Sequence, residues 1–306
     1  MRIRWITWFA VGALAAGAET PQPKPASESD DLYELGQQLF DQYAPPEVKA
    51  DYAFPTKEQW DQFAIRVQRS LENDSLEDLA ALEPEARSAL AATRALPGYE
   101  DYAGWLQIRM DEMDAAKQAV SHPEPSVTGR PPSAIPLYAL WLSRERNRPV
   151  PASAAELMPV LRAAFTAEGV PPELAWLAEA ESTLNTGARS PSGASGLFQL
   201  MPDTAHALGL STFLPDDRAN PEKSARAAAH LLATLQARFG NWPLALAAYN
   251  AGEGRLSRLL ASRGVRDFAG VASALPVETR MYVPKVCALV EVRTGTSIEN
   301  LGPPRG

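Results

Sequence analysis

The residues of this 306-residue chain best placed to do chemistry lie between Glu181 and Leu210, in the run ESTLNTGARSPSGASGLFQLMPDTAHALGL. One carboxylate, Glu181, closes an apolar stripe. A loop punctuated by Gly187, Gly193 and Gly196 follows, and Gln199 and Met201 stand just ahead of a new helix. An acid held among apolar residues, beside a main chain that can approach a ligand closely, suits bond cleavage by proton donation. Low dielectric disfavours the charged form, which predicts a raised pKa for Glu181 and a general acid still protonated near neutrality. Gln199 lies between apolar neighbours and needs a hydrogen-bond partner from protein or ligand.

The acid must be positioned by the segment VPPELAWLAEAES, residues 170–182, which reads as one helix with Pro171 and Pro172 suited to its first turn. Leu174, Leu177, Ala178 and Glu181 recur at i, i+3, i+4 and i+7 and so share a face. At about 100° per residue Glu181 lies about 20° from Leu174, whereas Glu179 lies about 140° away and is expected to point to solvent. Gly193 and Gly196 are expected to take positive φ or to admit a ligand against the main chain. Pro202 to Leu208 reads as a short helix stopped by Gly209.

Helical patterns continue on both sides. Asn220 caps a helix with Pro221 at its first position, Glu222 in its first turn and Gly240 at its end. Asn241 caps the next, which carries Leu244, Ala247, Ala248 and Tyr249 before Gly252. A helix near Arg255 to Ser262 and a last one from Pro276 to Arg293 follow, the latter with Pro284 as an expected kink. Towards the N-terminus, Trp60, Phe63, Ala64 and Val67 mark one amphipathic stretch. Leu76, Leu79, Ala80 and Leu90 mark others, broken at Pro84, and Trp105, Ile108, Met113 and Ala116 a further helix. These stripes read as core, and nothing in this half reads as chemistry. The run SHPEPSVTGRPPSAIP, 121–136, holds five prolines and reads as a linker. Leu137 to Glu145 reads as a helix bridging the halves. No strand and no tandem repeat is expected.

At Glu181 and beyond, the chain resembles the lytic transglycosylases with a goose-lysozyme-like domain, especially the membrane-bound type D branch. The first block of likeness is Glu181-Ser182, then Ser190-Pro191, Gly193 to Gln199, and Met201-Pro202. The second is Ala248-Tyr249-Asn250-Ala251-Gly252. The third is Leu275-Pro276, Glu278-Thr279 and Tyr282-Val283-Pro284-Lys285. Together they span roughly residues 150–295. The resemblance implies an all-α chain, a lysozyme-like helical catalytic domain preceded by a helical N-terminal domain. It implies peptidoglycan glycan strands as substrate and Glu181 as the single acid/base. It also implies that Ser190, Gln199, Met201 and Tyr249 line the cleft, Tyr249 close to the scissile sugar, with Asn250 as a further contact. Phe198 stands where the family often has Met or Trp. The third block is expected to close the domain rather than do chemistry, with Glu278 in a helix's first turn, where negative charge suits the dipole. In the implied reaction Glu181 protonates the oxygen of the β-1,4 bond between N-acetylmuramic acid and N-acetylglucosamine. It then takes the proton of the muramyl 6-hydroxyl, which attacks C1 and leaves a 1,6-anhydro end. Because the attacking group belongs to the substrate, the second carboxylate of ordinary glycosidases is not needed. The alternatives are a goose-type lysozyme hydrolysing the same bond and a non-catalytic glycan-binding scaffold.

Composition narrows the setting. Residues 19–149 carry 23 acidic and 13 basic side chains, a net of −10, whereas residues 150–306 carry 14 of each. That balance does not favour nucleic acid or steering to an anionic polymer. It leaves a protein partner of the acidic half open. The three histidines, His122, His206 and His230, have no ligand spacing, so no metal is expected, and no cofactor motif is present. Cys287 is the only cysteine. Arg2, Arg4, the apolar run Trp5 to Ala15 and the Ala16-Gly17-Ala18 site read as a signal peptide, residues 1–18. With no cysteine beside it, a lipid anchor is not expected, and the address is periplasmic or secreted. The expected layout is then a leader at 19–30, a helical domain at 31–120, the linker at 121–136, the catalytic domain at 137–296 and a tail at 297–306.

Overall fold

The computed structural model describes residues 66–67, 69–72, 75–94, 100–121, 135–190 and 192–305. The signal, the leader, the Trp60–Ala64 stripe and most of the proline-rich linker lie outside the described residues. Among the described residues the chain is all-α, with no strand; two isolated bridges, Arg189 to Ser195 and Ser195 to Leu200, pin the glycine loop.

The N-terminal helices are α1 (Leu76–Ala81), α2 (Glu83–Arg94) and α3 (Glu100–Ser121). Ser75 caps α1 through a bond from the Asp78 N–H. The expected break falls at Leu82, and Pro84 sits in the first turn of α2, where its missing N–H costs no bond. Next come α4 (Tyr138–Arg146), α5 (Ala154–Ala167), a 3₁₀ turn at Pro172–Trp176, α6 (Leu177–Ser182) and α7 (Pro202–Ala207). The remainder is α8 (Pro221–Phe239), α9 (Trp242–Ala251), α10 (Glu253–Arg263), α11 (Phe268–Ala272) and α12 (Val277–Thr294). Asn220 and Asn241 cap α8 and α9 by accepting from the Lys223 and Leu244 N–H groups, and Gly240 ends α8 in the left-handed region, as their sequence signals require.

The core is organised around α12. Apolar residues surround it on all sides, and Val277, Met281, Val283, Val286, Cys287, Ala288 and Val290 are all buried. A helix apolar all round belongs at the centre of a layered helical body. It packs along α4 on one side and against α9, α6 and the 3₁₀ turn on others, and the helical run continues through Pro284. α8 packs between α5 and α9. α3 packs on α1 and α2 and also reaches α4 and α6, so one apolar cluster runs from Val67 to Ile298. The C-terminal segment folds back onto this body. Gly302 accepts from the Trp242 indole at 3.1 Å, and the Arg305 N–H donates to the Gly169 carbonyl at 2.8 Å.

Candidate active site

The segment expected to be one helix divides into two geometries. Residues 172–176 form the 3₁₀ turn, and only Leu177–Ser182 are α-helical. This short α6 is enclosed by α3, α12 and the 3₁₀ turn. Every residue of it except Glu181 is buried, so the helical-wheel argument that sent Glu179 outward fails: the side opposite the apolar stripe is not wet. Glu179 is buried, and its carboxylate takes two bonds from Arg293, at 2.6 and 2.9 Å. Two residues on, Glu181 is only partly buried as a residue, yet its carboxyl is desolvated.

The Glu181 carboxyl accepts a 2.5 Å hydrogen bond from the Tyr282 hydroxyl at Oε1. Burial pushes its pKa up from 4.5 to about 7, partly offset by the Tyr282 bond and the positive charges of Arg109 and Lys285, while Glu278 adds to the rise. The Tyr282 and Tyr249 hydroxyls are themselves held well above the ordinary phenol range, first by burial and then by the charge of Glu181, so both are neutral donors. Just past the acid, Thr183 and Leu184 both lie in the left-handed region, at φ 55° and 58°. That conformation is strained for a β-branched residue, and such strain gathers at functional sites. Ser182 fastens the helix to the glycine loop by donating to the Ala178 carbonyl at 2.9 Å and the Leu197 carbonyl at 3.0 Å.

The loop from Asn185 to Met201 is held by its own polar groups. Ser190 Oγ accepts from the Ala194 N–H at 3.0 Å and pairs with the Ser192 hydroxyl. Gln199, itself at φ 45°, gives its amide to the Ala188 and Gly196 carbonyls at 3.2 and 2.9 Å. Its partner is thus protein. Gly193 and Gly196 take positive φ as expected. At Gly196, however, the close approach is to protein: an added Cβ would lie 2.0 Å from the Arg218 carbonyl oxygen. That carbonyl belongs to Arg218, a residue for which the sequence carries no signal. It is buried, donates to the Gly193 and Leu200 carbonyls at 2.9 and 3.0 Å, and is clamped by Asp216 at 2.7 Å.

Of the remaining candidates, Tyr249 at the end of α9 donates to the Phe198 carbonyl at 2.7 Å and lies within the field of Glu181. The Phe198 ring points the other way, into the core, stacked on Phe165 with ring centroids 5.6 Å apart. Asn250 accepts from the Thr279 hydroxyl at 2.6 Å, which ties α9 to α12. Met201 is half-buried at the start of α7. Glu181 and Tyr249 are thus brought together, while Ser190 and Gln199 serve the loop that borders them. Tyr282 is the neighbour the sequence reading missed, since it was assigned to a block that closes the domain. Glu278 does sit in the first turn of α12, as expected, and there it accepts from Arg109 at 2.8 Å. Among the described residues no cluster could hold a metal ion.

Residues 159–270 match the family model described as "Transglycosylase SLT domain". The chain is 36% identical over 129 residues to the membrane-bound lytic murein transglycosylase D of Escherichia coli K12, covering 40% of this chain and 28% of that one. It is 38% identical over 120 residues to the soluble lytic murein transglycosylase of Salmonella typhimurium LT2, covering 37% of this chain and 19% of that one. The chain therefore spans less than a third of the length of these relatives. Among solved structures, the 70 kDa soluble lytic transglycosylase Slt70 of Escherichia coli aligns over 90% of this chain and 59% of its own, at 18% identity and a TM-score of 0.42.

Proposed function

We propose that this chain, with its transglycosylase SLT domain at residues 159–270, is a lytic murein transglycosylase. On this reading it cleaves the bond between N-acetylmuramic acid and N-acetylglucosamine in peptidoglycan and leaves 1,6-anhydro ends. The observation that carries the proposal is the Glu181 carboxyl, desolvated to a pKa of about 7 and held at one oxygen by Tyr282. A group that must first give a proton to the glycosidic oxygen and then take one from the muramyl 6-hydroxyl works best with its pKa near the working pH. The Tyr282 bond fixes the direction of the carboxyl without transferring charge, because that phenol stays neutral. Tyr249, anchored on the Phe198 carbonyl, borders the same space and offers a rigid face to a sugar ring.

A hydrolase would need a second carboxylate to activate water. The acid whose charge raises the Glu181 pKa is Glu278, and Arg109 already occupies its Oε1. This favours internal attack by the substrate over hydrolysis. Residues 1–18 would act as an export signal and deliver the protein to the periplasm, where peptidoglycan lies. No helix among the described residues is long and apolar enough to cross a membrane.

The test is digestion of purified sacculi by protein recovered from the periplasm with Glu19 at its N-terminus. Mass spectrometry should find 1,6-anhydromuropeptides, and Glu181→Gln should release none. Reducing muramyl ends would turn the proposal into hydrolysis, and binding without release would turn it into a scaffold.

A further inference from the structure

The acid's surroundings extend beyond the matched domain, into a helix the sequence marked as core alone. On α12, Glu278, Tyr282 and Lys285 recur at i, i+4 and i+7 and share a face. Each meets a different partner. Glu278 Oε1 lies 2.8 Å from Arg109 Nη1, the Tyr282 hydroxyl donates to Glu181, and Lys285 Nζ lies 3.5 Å from Glu112 Oε1. Arg109 and Glu112 stand one turn apart on α3, 2.9 Å from each other, and α3 packs directly on the acid-bearing helix α6. The Glu112 and Lys285 side chains are almost fully enclosed, each 2% exposed, and that of Arg109 is 13% exposed. The acid is thus bracketed along one face by two ion pairs, and a single guanidinium joins both carboxylates.

We propose that Arg109 is a positioning residue for the acid. From the N-terminal helix it holds Glu278 and Glu112 in place and supplies the positive charge that balances them beside Glu181. The reaction would then require α3 as well as the SLT domain. This deepens the proposed function and rests on Glu181 as its acid.

The groups facing Glu181 set the signs. From α12 come Tyr282, Glu278 and Lys285, from α3 Arg109, with Glu112 behind it as its partner, and from α9 Tyr249. Removing Arg109 takes away a nearby cation and leaves Glu278 without its ion-pair partner, while Glu112 keeps Lys285. Removing the charge of Glu278 takes away a nearby anion. The two substitutions must therefore move the titration of Glu181 in opposite directions.

The experiment is carbon-13 NMR of the full chain labelled at glutamate side-chain carboxyls, with the Glu181 signal assigned by its loss in Glu181→Gln. Arg109→Gln should raise its titration midpoint by roughly one pH unit, Glu278→Gln should lower it, and Arg109→Lys should leave it near the starting value. A midpoint that stays put in Arg109→Gln, or moves the same way in both neutral variants, overturns the proposal. If Arg109→Gln does not fold, Glu278→Gln and Arg109→Lys decide: a midpoint unmoved by the first, or raised by the second as far as loss of the cation would raise it, overturns it equally. The readout needs no turnover. A wild-type protein inert on sacculi but showing the opposed shifts would overturn the proposed reaction and leave the role of Arg109 standing.

Discussion

Replacing Glu181 by Gln should make the folded protein more stable at neutral and alkaline pH. Burial lifts the Glu181 carboxyl from 4.5 to about 7. The folded state therefore holds this proton more tightly than the unfolded chain does, and stability declines as pH rises from the lower value through the higher one. Below about pH 4.5 both states are protonated, and the stability contributed by the proton is fully present. Above about pH 7 both states have lost it, and the cost of a buried charge is fully felt. At about 1.4 kcal/mol per pKa unit that cost is about 3 kcal/mol, and the part of the side chain left open to water trims it to about 2–3 kcal/mol. Glutamine is neutral at every pH, and its carbonyl oxygen can still accept the Tyr282 bond. The variant should match the parent near pH 4 and exceed it by this amount near pH 8, or roughly 3–5 °C in Tm for a chain of this size. Differential scanning calorimetry from pH 4 to 8.5 measures it. A difference that is flat across this range, or that favours the parent at pH 8, would refute the claim that the fold desolvates this carboxyl, and with it the reasoning from burial to acid.

Tyr282→Phe removes one hydrogen bond to the charged form of Glu181, worth about 1.5–3 kcal/mol. The alkaline limb of the pH–rate profile on sacculi should move up by about 1–2 pH units, and an unmoved limb would show that Tyr282 is a bystander. Gly196→Ala must place a Cβ 2.0 Å from a backbone oxygen at φ 78° and should cost about 2–5 kcal/mol in urea denaturation. Gly209→Ala has the same φ but nothing within 4 Å, so it should cost only about 1–2 kcal/mol; equal losses would mean that the clash at Gly196 is relieved elsewhere.

What the sequence revealed and what it hid differ in physical kind. Local signals were legible. Asn220 and Asn241 announce their helices because a cap acts within three residues, and Gly240 announces an end because its φ is set by its own missing side chain. Glu181 was legible from its type, its spacing and the blocks around it. Glu179 was misjudged because amphipathic reasoning assumes that the side of a helix opposite its apolar stripe is wet, and on α6 that side is buried; its partner Arg293 is 114 residues away. Tyr282, 101 residues from the acid, lay in a block expected to close the domain rather than to touch the acid. Arg109 was hidden more deeply. Its partner Glu278 is 169 residues distant, and it rides on a helix whose aromatic and methionine stripe reads correctly as core. Its meaning appears only when α12 is seen to present Glu278, Tyr282 and Lys285 along one line. The spacing i, i+4, i+7 was visible in the sequence from the outset, and its middle and last members lie in the buried run from Met281 to Val290, where solvent cannot satisfy them. Polar groups in so buried a stretch must find their partners inside the protein. Had that requirement been imposed on residues 278–285, it would have demanded an opposing set of charges from somewhere else in the chain, and α3 carries such a set in Arg109 and Glu112.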